Sequence, residues 1–220
     1  MIWYLMLSHL LADYPLQPTW MVNQKNRSRV LLTHAVMHFG VQILVVGTAS
    51  LFIWPYLLLL SAVHLTIDWT KNKLSELWPK WVIFPYIVDQ LLHYASIALI
   101  ATWIERLRGR IELPIPRSWM IYAIAFLLVT YVWFISERIL AYADVNYRKE
   151  VTEQQWSRMF ARAIFLSGFL FFWRWVSGES LLSTLAFSLP YLNGKNGARA
   201  LLTDLGVALA GMVFLLSAGA

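Results

Sequence analysis

Long apolar runs, broken by charge or proline, decide what this chain can become. They predict helices at 1–22, 30–48, 51–70, 81–104, 117–143, 157–176, 179–192 and 199–218, each judged against the roughly 20 residues that a membrane span needs. The first run contains Pro15 and Pro18. Proline lacks an amide donor and disfavours helix just before it, so this helix is expected to end near Asp13 and continue as irregular chain. The seventh run, around "LLSTLAFSLPYL", is short and fits a re-entrant segment. The fold class that follows is an all-α integral membrane protein, a bundle of seven or eight transmembrane helices.

Composition agrees. The chain is 59% hydrophobic and 14% charged, where soluble domains carry roughly a quarter charged residues. A length of 220 residues leaves no room for a separate soluble domain. We therefore read 1–104 as four helices carrying polar motifs, and 105–220 as further helices of the same membrane domain. The absence of cysteine excludes disulfides, thiolate metal sites and a cysteine nucleophile. The N-terminus lacks the charged region and small-residue cleavage site of a signal peptide, so it is expected to stay as a first helix.

The basic residues set an orientation. If loops alternate sides, one side holds Lys25, Arg27, Arg29, Lys71, Lys73, Lys80, Arg138, Arg148, Lys149, Arg158, Arg162, Lys195 and Arg199. The other holds Arg106, Arg108, Arg110, Arg117 and Arg174. Cytoplasmic loops are enriched in Lys and Arg, which places the N-terminus outside and the first loop in the cytoplasm. The same rule accounts for the formal charge of +6, and nucleic acid is not an expected partner.

All five histidines stand four residues from another His or an Asp. The pairs are His9–Asp13, His34–His38, His64–Asp68 and Asp89–His93. A random His in this chain would find such a partner roughly one time in twelve, so chance is a poor account of five in five. An i,i+4 spacing puts both side chains on one helix face, and each of the first four helices carries one such face. Up-down connectivity then brings all four pairs to the same half of the membrane, toward the cytoplasm.

Neutral imidazole and carboxylate are ligands for Zn²⁺, Fe²⁺ and Mn²⁺, and facing pairs from four helices build two-metal sites in bundles. The expected cofactor is one or two divalent ions, zinc first, with iron and manganese as alternatives. His9, His34, His38, His64 and His93 are the candidate ligands. Asp13, Asp68 and Asp89 are divided between ligation and general-base catalysis. Gln17 and Gln90 lie beside the motifs and are candidates to orient ligands or substrate; Lys25, Arg27 and Arg29 are candidates to hold a phosphate. The bland alternatives are that each pair is a helix–helix hydrogen bond in lipid and that Lys25, Arg27 and Arg29 only set topology. In the second half, Asp204 and Arg162 are read as an ion pair or a cavity lining, without a motif.

The stretches "HLLADYPLQPTWM", "HAVMH", "HLTIDW" and "DQLLH" resemble, in order, the motifs of the family labelled domain of unknown function 3307, a set of bacterial membrane proteins. The likeness covers about residues 5–95 and implies origin and fold, since that label carries no activity. A looser likeness is to predicted membrane-bound metal-dependent hydrolases. Desaturase-like proteins carry more histidine boxes, and ceramidase-like proteins carry HxxxH in the last span, so both fit less well.

The reading is a polytopic metalloprotein of the bacterial inner membrane. Its leading function is metal-dependent hydrolysis of a lipid, a lipid-linked phosphate or another amphiphilic substrate near the cytoplasmic leaflet. The rivals are a divalent-cation or proton-coupled transporter using the same cluster, and a non-catalytic membrane partner with a structural metal.

Overall fold

The computed structural model describes residues 1–107, 113–175, 191 and 197–219. Among these every regular element is helical. The helices are α1 (Ile2–Asp13), α2 (Thr19–Asn23), α3 (Ser28–Val46), α4 (Ser50–Leu77) and α5 (Ile83–Glu105). They are followed by α6 (Arg117–Leu127), α7 (Trp133–Leu140), α8 (Val145–Glu153), α9 (Gln155–Trp175) and α10 (Gly197–Ala218). The chain falls into two compact units, Met1–Met120 and Ile121–Ala220. The predicted helix at 179–192 lies outside the described residues, as do Arg108, Arg110 and Lys195 of the charge count.

In the first unit, α1 packs on α3, α3 on α4, α4 on α5, and α5 back on α1. The four motif-bearing helices thus close a ring. The first helix ends at Asp13, and the chain resumes as helix only at Thr19, directly after Pro18. Between α3 and α4 the reversal depends on Gly47, whose φ of 66° and ψ of −139° suit a residue without a Cβ. A Cβ there would also meet Pro114 Cγ at 3.0 Å.

The interior combines apolar and ionisable side chains, while much of the exposed surface is apolar. The inward face of α3 carries Leu31, His34, Ala35, His38, Val41 and Gln42; that of α5 carries Asp89, His93, Ile97 and Ile104. Outward stand Leu32, Val36, Leu44, Leu51, Phe52, Leu91 and Leu92. Extended exposed apolar surface of this kind is compatible with a lipid environment. Among the described residues, four helical stretches are long and apolar enough to cross a membrane: Ser28–Leu77, Ile83–Glu105, Arg117–Leu140 and Gly197–Ala218. The first of these contains both α3 and α4.

Two elements differ from the sequence pattern. The α4 helix runs seven residues beyond the predicted end at 70, because "KNKLSEL" is polar yet made mostly of good helix formers and Lys73 pairs with Glu76 one turn on. The polar stretch 144–156, left between the predicted helices 117–143 and 157–176, contains α8. Its start is fixed by the Asp144 carboxylate, which accepts from the Tyr147 amide at 3.0 Å, the usual role of an N-cap aspartate.

The second unit is built around a buried ionic group. Arg158 donates to both oxygens of Asp204 at 2.9 and 2.7 Å and to Glu137 Oε1 at 2.9 Å. Arg162 donates to Asp204 Oδ1 at 2.8 Å, so the ion pair read from Arg162 and Asp204 forms and is joined by two further charges. Arg162 also reaches the Thr130 carbonyl at 3.4 Å, within the π-helical turn Leu128–Val132 that links α6 to α7. The Tyr147 phenol donates to Glu137 Oε1 at 2.6 Å, and burial with that carboxylate pushes its pKa up to about 12. It therefore remains a donor at neutral pH. Gly211 lets α10 approach closely, since a Cβ there would meet Val129 Cγ1 at 2.5 Å.

Candidate metal centre

The ring of α1, α3, α4 and α5 brings all eight paired residues into one buried cluster. His9, His34, His38, His64, Asp68, Asp89 and His93 are each at most 3% exposed. Asp13, in the last turn of α1, is the hub. Its Oδ1 accepts from His34 Nε2 at 2.9 Å and His38 Nε2 at 3.0 Å, and its Oδ2 lies 3.4 Å from His9 Nε2. On α4, His64 Nε2 lies 3.4 Å from Asp68 Oδ2 and 3.8 Å from Asp13 Oδ1. The rings crowd together: His38 and His64 have centroids 3.7 Å apart, and His64 and His93 4.2 Å apart.

On α5, His93 Nδ1 donates to the Asp89 carbonyl oxygen at 2.9 Å. That bond fixes the tautomer and leaves Nε2 as a lone-pair nitrogen, the form in which histidine ligates metal. Buried polar groups are normally hydrogen-bonded. Among the described residues, however, His93 Nε2, His64 Nδ1 and Asp89 Oδ1 are buried without a hydrogen-bond partner. Several such atoms in one cluster, all of ligand type, fit a divalent cation.

Among the described residues, three sets have ligand atoms within 4.8 Å of one another: His9, Asp13, His38 and His64; His34, His64 and Asp68; and Asp68, Asp89 and His93. The first has the composition and number of a tetrahedral site. The second shares His64 with the first and Asp68 with the third, so the geometry can hold one ion or two.

Around the ligands lies a polar shell. Gln90 donates to Asp89 Oδ2 at 3.0 Å, and its carbonyl accepts from Tyr14 and Tyr94 at 3.2 Å each. With its amide oriented to satisfy both ends, Gln17 donates to the Asp13 carbonyl at 3.2 Å and accepts from Lys25 Nζ at 3.0 Å. Both glutamines therefore touch ligand-bearing residues. Arg27 and Arg29 do not join them. Arg27 bonds Gln24 at 3.2 Å, and both arginines face outward.

Two cations unassigned by the sequence motifs are present instead. Lys25 Nζ lies 2.8 Å from Asp68 Oδ2, and Lys71 Nζ lies 2.9 Å from Asp89 Oδ2. Lys71 carried a signal, because it stands three residues after Asp68 on the same face of α4. Lys25 carries no spacing signal, since it lies between α2 and α3, where no periodicity applies; only its charge beside the motifs marks it, as it marks Arg27 and Arg29.

A family model described as "Protein of unknown function (DUF3307)" matches residues 1–135, a span that takes in the entire cluster. No curated protein and no solved structure matches the chain.

Proposed function

Since the chain belongs to that family of unknown function, we propose its activity from the site alone: a membrane metalloprotein that hydrolyses an amphiphilic substrate with one or two divalent ions. The observation that carries this reading is the set of buried, partnerless ligand atoms around His64. His9, Asp13, His38 and His64 hold the first ion; Asp68, Asp89 and His93 are the ligands for a second. A divalent ion so placed acidifies water and polarises a phosphoryl or acyl oxygen. Zinc suits this His/Asp set, with iron and manganese next.

The chain's own groups do the rest. Asp13 orients His34 and His38, and with an ion in the first set alone Asp68 or Asp89 would be free to accept a proton from water. Gln90, held by Tyr14 and Tyr94, positions Asp89. Four helices close around the cluster and exclude bulk water, which strengthens each charge interaction inside.

We further place the chain in the bacterial inner membrane with its N-terminus outside, the site toward the cytoplasm, and seven or eight spans. Helices α1, α3, α4, α5, α6 with α7, α9 and α10 are the seven candidates among the described residues, and the eighth rests on the apolar run 179–192 in the sequence alone. Twelve residues make α1 about 18 Å long, so it reaches only part way before the break at Tyr14. Arg158 and Arg162 of α9 are compatible with lipid because Asp204 and Glu137 neutralise them.

The chain break next to Asp13 is the observation that favours a transporter instead, since discontinuous helices mark transport sites. One comparison separates the two. Protein loaded with zinc or manganese in nanodiscs is expected to cleave a phosphoryl or acyl lipid, with the activity lost on chelation and restored by the ion. Chelator-insensitive or absent cleavage, together with ion uptake into proteoliposomes, would replace hydrolysis by transport.

A further inference from the structure

The cluster has a cationic rim that ion ligation alone does not require. The side chains of Lys25 and Lys71 are 17% and 31% exposed, against 3% and 1% for the Asp68 and Asp89 side chains they contact. The ammonium groups thus stand between buried carboxylates and the outside. Lys25 is held at both ends, its carbonyl accepting from Asn72 Nδ2 at 2.9 Å and its Nζ bonded to Gln17. Buried or half-buried ion pairs of this kind add little net stability over apolar residues, and each ammonium competes with an incoming ion for its carboxylate.

Charge decides what the lysines do once that competition is lost. Asp13, Asp68 and Asp89 against Lys25 and Lys71 leave the cluster at one net negative charge with its imidazoles neutral. One divalent ion makes it net positive by one, and two ions make it net positive by three. In a site shielded from water, excess charge of that size calls for a counter-anion. A phosphomonoester supplies up to two negative charges and three equivalent oxygens, enough to meet two ammonium groups and an ion together. A carboxylate has only two oxygens and one charge.

We infer that Lys25 and Lys71 form an anion-docking pair for a phosphomonoester, exchanging Asp68 and Asp89 for phosphate oxygens when those carboxylates turn to the ion. This inference rests on the divalent-ion reading above. It keeps the anion-binding role at Lys25, withdraws it from Arg27 and Arg29, and adds Lys71, both lysines touching the ligand carboxylates.

The test uses the full chain loaded with manganese, whose paramagnetism shortens ³¹P relaxation of any phosphate bound beside it. Inorganic phosphate in detergent and phosphatidic acid in nanodiscs are titrated separately, with phosphatidylglycerol as a diester control. Manganese content is measured in every sample. The parent is expected to bind the monoester. Lys25→Met and Lys71→Met should each weaken it about tenfold and the double variant about a hundredfold, with manganese content unchanged, while Lys71→Arg stays within a few-fold of the parent.

Binding of phosphatidic acid alone would assign a lipid headgroup; binding of inorganic phosphate as well would assign the free group too. A manganese-loaded double variant with parental phosphate affinity would overturn the docking pair and leave the ion site standing. Equal binding of the diester would overturn the monoester assignment. A folded parent that takes up no manganese, zinc or iron would overturn both readings.

Discussion

His64→Ala is expected to lower divalent-ion affinity by at least about a hundredfold, since even partners one layer outside the ligands commonly cost 10–100-fold. The reason is position. His64 belongs to two of the three ligand sets, joining His9, Asp13 and His38 on one side to His34 and Asp68 on the other. Its ring is in close contact with those of His38 and His93. His93→Ala, by contrast, removes a ligand from the Asp68–Asp89 set alone, so the His9–Asp13–His38–His64 set keeps its ion. Competition against a chromophoric chelator measures both. Equal losses for His64→Ala and His93→Ala would mean that the sets do not share His64 as their geometry indicates.

The second large effect lies in the other unit. Asp204→Ala is expected to destabilise the protein by about 3–5 kcal/mol, the usual cost of removing one partner from a buried ion pair. Asp204 is fully buried and accepts three hydrogen bonds from Arg158 and Arg162 and a fourth from the Tyr191 hydroxyl at 3.0 Å. Without it, Glu137 alone must balance two guanidinium groups. The exposed pair Lys149–Glu153, at 3.7 Å, supplies a control, because removing a surface pair changes stability by under about 1 kcal/mol. Thermal unfolding in detergent reads both variants. An Asp204→Ala midpoint equal to that of Glu153→Ala would show that the ionic group is not holding α7, α9 and α10 together.

Much of this was legible because two periodicities happened to carry the signal. The i,i+4 spacing of His and Asp placed each pair on one helix face, and alternating connectivity placed the faces at one level; α1, α3, α4 and α5 then needed only to close a ring. Pro15 and Pro18 gave the end of α1 for a local reason, the missing amide. The lower reach of α4 was not legible from apolar runs, since helix propensity continues where hydropathy stops. Lys25 reaches Asp68 through a turn, and Glu137 and Arg158 meet Asp204 across three helices. Contacts of that kind arise from tertiary packing and leave no spacing to read. Arg27 and Arg29 drew attention by charge alone, and charge does not say which way a side chain faces.

The most direct test of the central claim is metal content. Elemental mass spectrometry of the detergent-purified protein is expected to find one or two equivalents of zinc, iron or manganese, and His34→Ala/His38→Ala, still monodisperse, is expected to lose them. A parent chain that remains metal-free after reconstitution with each ion would contradict the account and leave the His/Asp cluster as a hydrogen-bonded core or a proton path.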